Sequence, residues 1–498
     1  MIDLKQILNT FSEDNQKEFL LYLDKKNKRK DAKNLQLTSL LLEDNYSSNE
    51  LSELIYGKQN KVALHALRKR LFSSIINFTA DTNIKQEKSI DIKLIKHILS
   101  ARSFFEKDQI IIGYQILDKA EVIAKEQQLF TILNEIYHTK IQYSYNNNKI
   151  ILEELIVQFK ENQQKLILEE TLNVVYAKIR KALNTFQHYK SKIDIKKLID
   201  KNLHEEGIKD YNNLSLKSLY QILQIFNIGS FQKFDYWNIE NLAVTIYKVV
   251  QNHKLKEKQL YYHIEIVYLI SNIFFRNKKF TESFQYLKLM ESLMKNNKQK
   301  FYSFFEPKYS LLLSLNFNYS QNQEKAIYLL QRAIQNKNID NITKLDMQLS
   351  LIVFYYQKGL LKDVQNIFSK LYHTDEWYIK KAGIIWTIKK SLIEILLHID
   401  LGNINVTDSR IKSFKRKYIK HLKEINQEKV ITYLKLIEIY YKSPEIVTDN
   451  TFKEKVENNF NWIENDKEDI FMMSFFAWLK AKMTKQDLYL VTLELIKG

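Results

Sequence analysis

The chain has 498 residues, of which 45% are hydrophobic and 13% aromatic, enough apolar surface for an extended core; charged residues, at 27%, are too few to suggest a disordered chain. Its two prolines, Pro307 and Pro444, and eight glycines, the closest pair being Gly383 and Gly402, exclude the turn punctuation of an all-β fold and the glycine-rich loops that cradle phosphates. The formal charge of +18 favours anionic partners, but only nine of the 76 basic residues are arginine, the side chain suited to forked phosphate and base contacts, so the lysine surplus reads equally well as genome composition.

The absence of cysteine excludes disulfides, thiolate nucleophiles and cysteine-rich zinc sites. Ten histidines are scattered with no pair at one-turn spacing, so no metal or cofactor is expected. The opening MIDLKQILNTFSEDN lacks the tracts of a secretory leader. The longest uncharged stretches, residues 218–232 and 309–323, are too short and too polar to cross a bilayer. A cytoplasmic protein without a transmembrane segment is the expectation.

Apolar residues recur at three- and four-residue spacing along nearly the whole chain, which predicts helices throughout. Near the N-terminus, Ser47-Ser48-Asn49-Glu50 offers a capping box that opens a short helix through Leu51, Leu54 and Ile55, ended by Gly57. The next helix, residues 62–76, buries Leu64, Leu67, Leu71 and Ile75 and presents His65, Arg68, Lys69 and Arg70. The polar stretch 80–89 (ADTNIKQEKS) reads as the boundary of an N-terminal helical module, residues 1–80. Two repeat segments follow, residues 90–256 and 257–498.

Comparing the chain with itself brings out one spacing rule. Ser271, Phe274, Phe280, Ser283, Leu287 and Met290 share their offsets with three other sets: Ala101, Phe104, Ile110, Gly113, Leu117 and Ala120; Ser314, Phe317, Gln323, Ala326, Leu330 and Ala333; and Ile352, Tyr355, Leu361, Val364, Phe368 and Leu371. The rule describes two antiparallel helices. A small residue in the first permits close approach, an aromatic residue one turn later fills the gap, and a second small residue after the turn faces the first. One hairpin cannot bury both of its faces, so neighbours must stack.

This alternation of small and aromatic residues resembles the tetratricopeptide repeat. The resemblance covers residues 94–125 and 264–375, is weaker around Leu401-Gly402, and lacks the usual tryptophan and the proline after the second helix. It implies an all-α, right-handed α-solenoid of tetratricopeptide-like hairpins, and a non-enzymatic scaffold or adaptor that binds a protein or peptide partner in its concave groove. A short helix, a glycine turn and a basic helix ahead of such repeats also look like some bacterial transcription regulators. In that second reading Arg68, Lys69 and Arg70 contact nucleic acid and the repeats serve as a sensor; in the first they belong to a plain helical cap.

Residues 410–423 (RIKSFKRKYIKHLK) hold seven Lys and Arg side chains and no acidic one, on a helix whose stripe of Ile411, Phe414, Tyr418, Leu422 and Ile425 should face inward. Lys412, Arg416, Lys420 and Lys423, with Lys415 nearby, then form an exposed ridge, read either as a solvated face or as a contact for an acidic partner, membrane surface or nucleic acid. His204-Glu205-Glu206 reads as a solvated polar run, because adjacent helical residues point apart. The five tryptophans, Trp237, Trp377, Trp386, Trp462 and Trp478, are expected mostly in the core. Residues 471–479 (FMMSFFAWL) are too apolar for water, so they belong under the last hairpin or in a contact patch, and the helix after Lys485 is expected to cap the array.

Overall fold

The computed structural model describes residues 4–11, 13–26, 33–43, 46–86, 90–147, 150–188, 201, 211–212, 214–233, 237–296, 299–336, 339–425, 427–459 and 470–497. Among them are 24 α-helices and two short 3-10 helices, with no strand. The chain divides into two compact units, residues 1–164 and 165–498.

The first unit opens with five helices, Leu4–Leu8, Glu13–Lys26, Lys33–Glu43, Ser48–Tyr56 and Lys61–Gln86, around a core that includes Phe19, Leu23, Leu37, Leu51, Leu67 and Leu71. The capping box forms as read: the Ser47 N–H donates to Glu50 Oε2 (2.6 Å) and the Glu50 N–H to Ser47 Oγ (3.3 Å), while Gly57 closes the helix at φ 71°. Leu64, Leu67, Leu71 and Ile75 are all buried. The helix that carries them runs on to Gln86, within the polar stretch 80–89, which contains neither proline nor glycine to stop it sooner, and the next helix begins at Ile90.

Downstream, paired helices recur with one turn geometry. In the first unit the Ile90–Phe105 and Ile110–Glu126 helices are joined through Asp108 at φ 54°, and the Gln109 N–H donates to the Phe104 carbonyl (2.9 Å). The second unit repeats the arrangement in four further hairpins, and again at Lys485, where the Gln486 N–H donates to the Ala481 carbonyl (3.2 Å). Leu260–Arg276 meets Phe280–Lys295 through Lys278, Tyr302–Tyr319 meets Gln323–Ile334 through Gln321, Asn341–Gln357 meets Leu361–Phe368 through Gly359, and Ile384–Asp400 meets Ile404–Glu424 through Gly402. Each linking residue has positive φ, and in each the following N–H reaches back five residues: Lys279 to Phe274 (2.9 Å), Asn322 to Phe317 (2.9 Å), Leu360 to Tyr355 (2.9 Å) and Asn403 to His398 (3.0 Å). This closure satisfies carbonyls that a helix end would otherwise leave open.

The residues at the first position of the spacing rule occupy equivalent places. Ala101, Ser271, Ser314 and Ile352 are fully buried seven positions before the linking residue, and Ile395 completes a fifth set. Ser271 and Ser283 lock one crossing by exchange, with Ser271 Oγ donating to the Ser283 carbonyl (3.0 Å) and Ser283 Oγ to that of Ser271 (2.9 Å). At the Ile90–Phe105 crossing it is Phe105, not Phe104, that lies against Gly113.

The C-terminal helices, Ile470–Thr484 and Leu488–Lys497, pack on each other and across the first helices of the later hairpins. Tyr489 Oη donates to the Asn318 carbonyl (2.6 Å), Trp478 Nε1 to Asp400 Oδ2 (3.0 Å) and Tyr433 Oη to the Phe475 carbonyl (2.7 Å). Met473, Phe475, Trp478 and Leu479 are core residues, so this apolar run is internal packing and not an open contact patch. Trp386 is also buried and Trp377 half-buried, whereas the Trp237 side chain, Trp462 and the whole of His204-Glu205-Glu206 lie outside the described residues. No described helix is long and apolar enough to cross a membrane.

Candidate functional site

The basic residues read from the sequence fall into two groups with different surroundings. On the Lys61–Gln86 helix, Lys69 and Arg70 are exposed, Arg70 Nε donating to the Ala66 carbonyl (3.4 Å) of its own helix. Arg68 is half-buried and donates to Ser48 Oγ (3.2 Å), which ties the basic helix to the start of the capped one. On the Ile404–Glu424 helix the stripe Ile411, Phe414, Tyr418 and Leu422 is buried, and Lys412, Lys415, Arg416, Lys420 and Lys423 are exposed. Part of this run is neutralised within the fold: Lys415 pairs with Glu438, Arg410 with Glu394 (3.0 Å) and Lys417 with Asp375 (2.6 Å).

Sequence reasoning missed a third site. A cavity of about 420 Å³ opens in the second unit among the first helices of four successive hairpins. Leu311, Leu315, Ile342, Leu349 and Ile385 give it apolar walls, and Arg276, Asp346, Trp386, Lys389 and His421 bring polar groups to the same space. Its size falls within the range of small-ligand sites, ~300–1,000 Å³.

Each polar group is placed by a helix. Arg276 is the last residue of Leu260–Arg276, Asp346 sits one turn into Asn341–Gln357 between the buried Leu345 and Met347, and Trp386 and Lys389 are a turn apart near the start of Ile384–Asp400. Burial pushes the Asp346 carboxyl up to about 6, although the cations of Lys389 and Arg276 pull the other way. Trp386 is only 6% exposed and stacks on Tyr378 (centroids 5.3 Å apart, planes at 25°), so its indole is held in one orientation. Its N–H makes no hydrogen bond of normal geometry, although it lies close enough to Asp346 to favour the ionised carboxylate.

The chain matches no protein-family model and no curated protein.

Among the described residues no group of His, Asp and Glu is placed to hold a metal ion. Asp346 lies beside cations and an indole next to apolar walls, an arrangement chemically able to hold a charged group beside an apolar one. The only sequence signal for the cavity is local. Asp346 is the sole acidic residue in the otherwise uncharged stretch 345–357, where a lone carboxylate needs a structural or functional reason.

Proposed function

We propose that this protein is a non-enzymatic, cytoplasmic helical-repeat scaffold or adaptor. Its tetratricopeptide-like hairpins stack as a right-handed solenoid, and the concave surface built by their first helices binds a protein or peptide partner. The observation that supports this most is the cavity itself, in which four consecutive first helices contribute to one apolar-walled recess with charged groups inside. The repeated turn and the buried small residues support the stacking, and the absence of cysteine is compatible with a reducing compartment.

The test uses Ile342→Trp. Ile342 lies on the cavity wall yet is 52% exposed, so a larger side chain fills the recess without entering the core. In affinity capture from native lysate with and without nuclease, partners should be lost from Ile342→Trp and survive nuclease. Partners retained by the variant would overturn the reading.

A nucleic-acid-binding regulator is the second reading, favoured by the capped Ser48–Tyr56 helix, the Gly57 turn and the basic face of Lys61–Gln86. Charge reversal at Arg68, Lys69 and Arg70 should then abolish salt-sensitive association with DNA or RNA. Unchanged association would remove this alternative.

A further inference from the structure

We propose that the aromatic ledge between the Leu361–Phe368 and Ile384–Asp400 helices binds single-stranded nucleic acid, stacking a base on Tyr372 and holding the phosphates on the lysines around it. This goes beyond the scaffold reading, does not rest on it, and uses a surface other than the face of Arg68, Lys69 and Arg70.

The ledge is an addition that the hairpin rule does not require. Residues 296–301 and 335–340 suffice to join earlier hairpins, whereas the longer link 369–383 holds an extra helix, Asp375–Ala382. Through it a chain of rings runs from the core to solvent. Trp386 and Tyr378 are buried and stacked; Trp377 meets Tyr378 edge-on (5.1 Å, 86°), and His373 stacks on Trp377 (4.0 Å, 16°). Tyr372 lies against His373 (4.4 Å, 42°) and is 79% exposed. The rings are held from several sides. The Trp377 N–H donates to Thr374 Oγ1 (3.3 Å), the His373 N–H to Tyr378 Oη (3.3 Å), and Asp375 pairs with Lys417 (2.6 Å). A ring so exposed adds little to the core, yet it ends an ordered stack and offers a flat face to water.

Charge surrounds that face. Lys370, Lys380 and Lys381 are exposed, and no ion pair among the described residues engages them; Glu376 is the exposed carboxylate beside them. The Asp375–Lys417 pair also ties the ledge to the Ile404–Glu424 helix, within a turn of Arg416 and Lys420 on the basic ridge. From Lys412 to Lys423 that ridge runs about 16 Å, the length of roughly five stacked nucleotides. An acidic peptide would satisfy the lysines and leave the ring unused, whereas a nucleotide strand supplies phosphates and π-faces together. Lysine point charges hold phosphates without reading base edges, so the site has no sequence choice.

The test titrates the full chain into labelled oligouridylate and oligothymidylate of about twelve nucleotides, beside a duplex of equal length, polyglutamate and phosphatidylserine vesicles. Both single strands should bind alike, and at least about fivefold more tightly than the duplex. Tyr372→Ala should weaken binding roughly tenfold with an unchanged salt dependence, and Tyr372→Phe should restore it. Lys380→Gln combined with Lys381→Gln should lower the slope of log affinity against log salt by about one. Melting should stay at the parent value in all of these, because the substituted side chains are exposed. No binding of either strand, or a Tyr372→Ala variant that binds like the parent, would overturn the proposal. So would preference for the duplex, polyglutamate or vesicles. Association abolished by charge reversal at Arg68, Lys69 and Arg70 but untouched by Tyr372→Ala would overturn it in favour of the N-terminal face.

Discussion

Gly113 marks a close approach between two helices in the first unit. A Cβ built on it would lie 2.3 Å from Phe105 Cε1, so any other residue must displace a ring that already stacks on Tyr143 (centroids 4.4 Å apart). Alanine is the better helix former by about 1 kcal/mol, but overpacking a filled core costs about 1–3 kcal/mol, so Gly113→Ala should destabilise the protein in urea unfolding. Adding Phe105→Leu should recover part of the loss. Asp346 behaves in the opposite way. Its folded carboxyl holds a proton up to about pH 6 against an ordinary value of 3.8, so the folded state pays no penalty when both forms are protonated, and a cost builds as pH rises through that window. Asp346→Asn should therefore raise stability at neutral pH by about 1–3 kcal/mol, with the gain fading below about pH 4. Urea midpoints measured across that pH range check both the sign and the window.

At the scale of the element, the hairpin turn explains what the sequence disclosed and what it hid. Gly359 and Gly402 announce their turns because glycine enters the left-handed region without steric cost, whereas Asp108, Lys278 and Gln321 adopt it against a penalty of about 1 kcal/mol and give no such signal. Those hairpins were legible only through the spacing of small and aromatic residues, and even that signal placed the packed ring at Phe104 where Phe105 does the filling. Lys278→Gly should leave the fold intact and change stability by no more than about 1 kcal/mol in the favourable direction, while Gly402→Ala should cost about 1 kcal/mol or more. Paired melting curves would show opposite shifts. The Ser48–Tyr56 helix and the buried face of the helix after it were read almost residue by residue, since a capping box and a one-face apolar stripe are local in sequence. The cavity was not, because its groups come from separate helices and only folding brings Arg276, Asp346 and Trp386 together.

Over the molecule as a whole, charge and burial divide the basic residues from the groups that hold the second unit together. Asp400 accepts from Trp478 Nε1 (3.0 Å) and Tyr356 Oη and pairs with Lys482 (2.8 Å), joining the Ile470–Thr484 helix to two earlier hairpins across 78 residues of sequence. Removing that one acceptor leaves a buried indole and a buried hydroxyl unsatisfied beside an unpaired ammonium, which should cost about 2–4 kcal/mol in Asp400→Ala. The exposed ridge has no comparable role in the fold. Lys412, Arg416 and Lys420 extend into solvent, with no ion pair shown for any of the three, so reversing all three to glutamate should move stability by no more than about 0.5 kcal/mol each. Denaturation of Asp400→Ala beside the triple variant tests the division directly. A large loss in the first and little change in the second would mean that the ridge is free to serve a partner, because the surplus of positive charge left over after Lys415, Lys417 and Arg410 are paired is not needed to fold the chain.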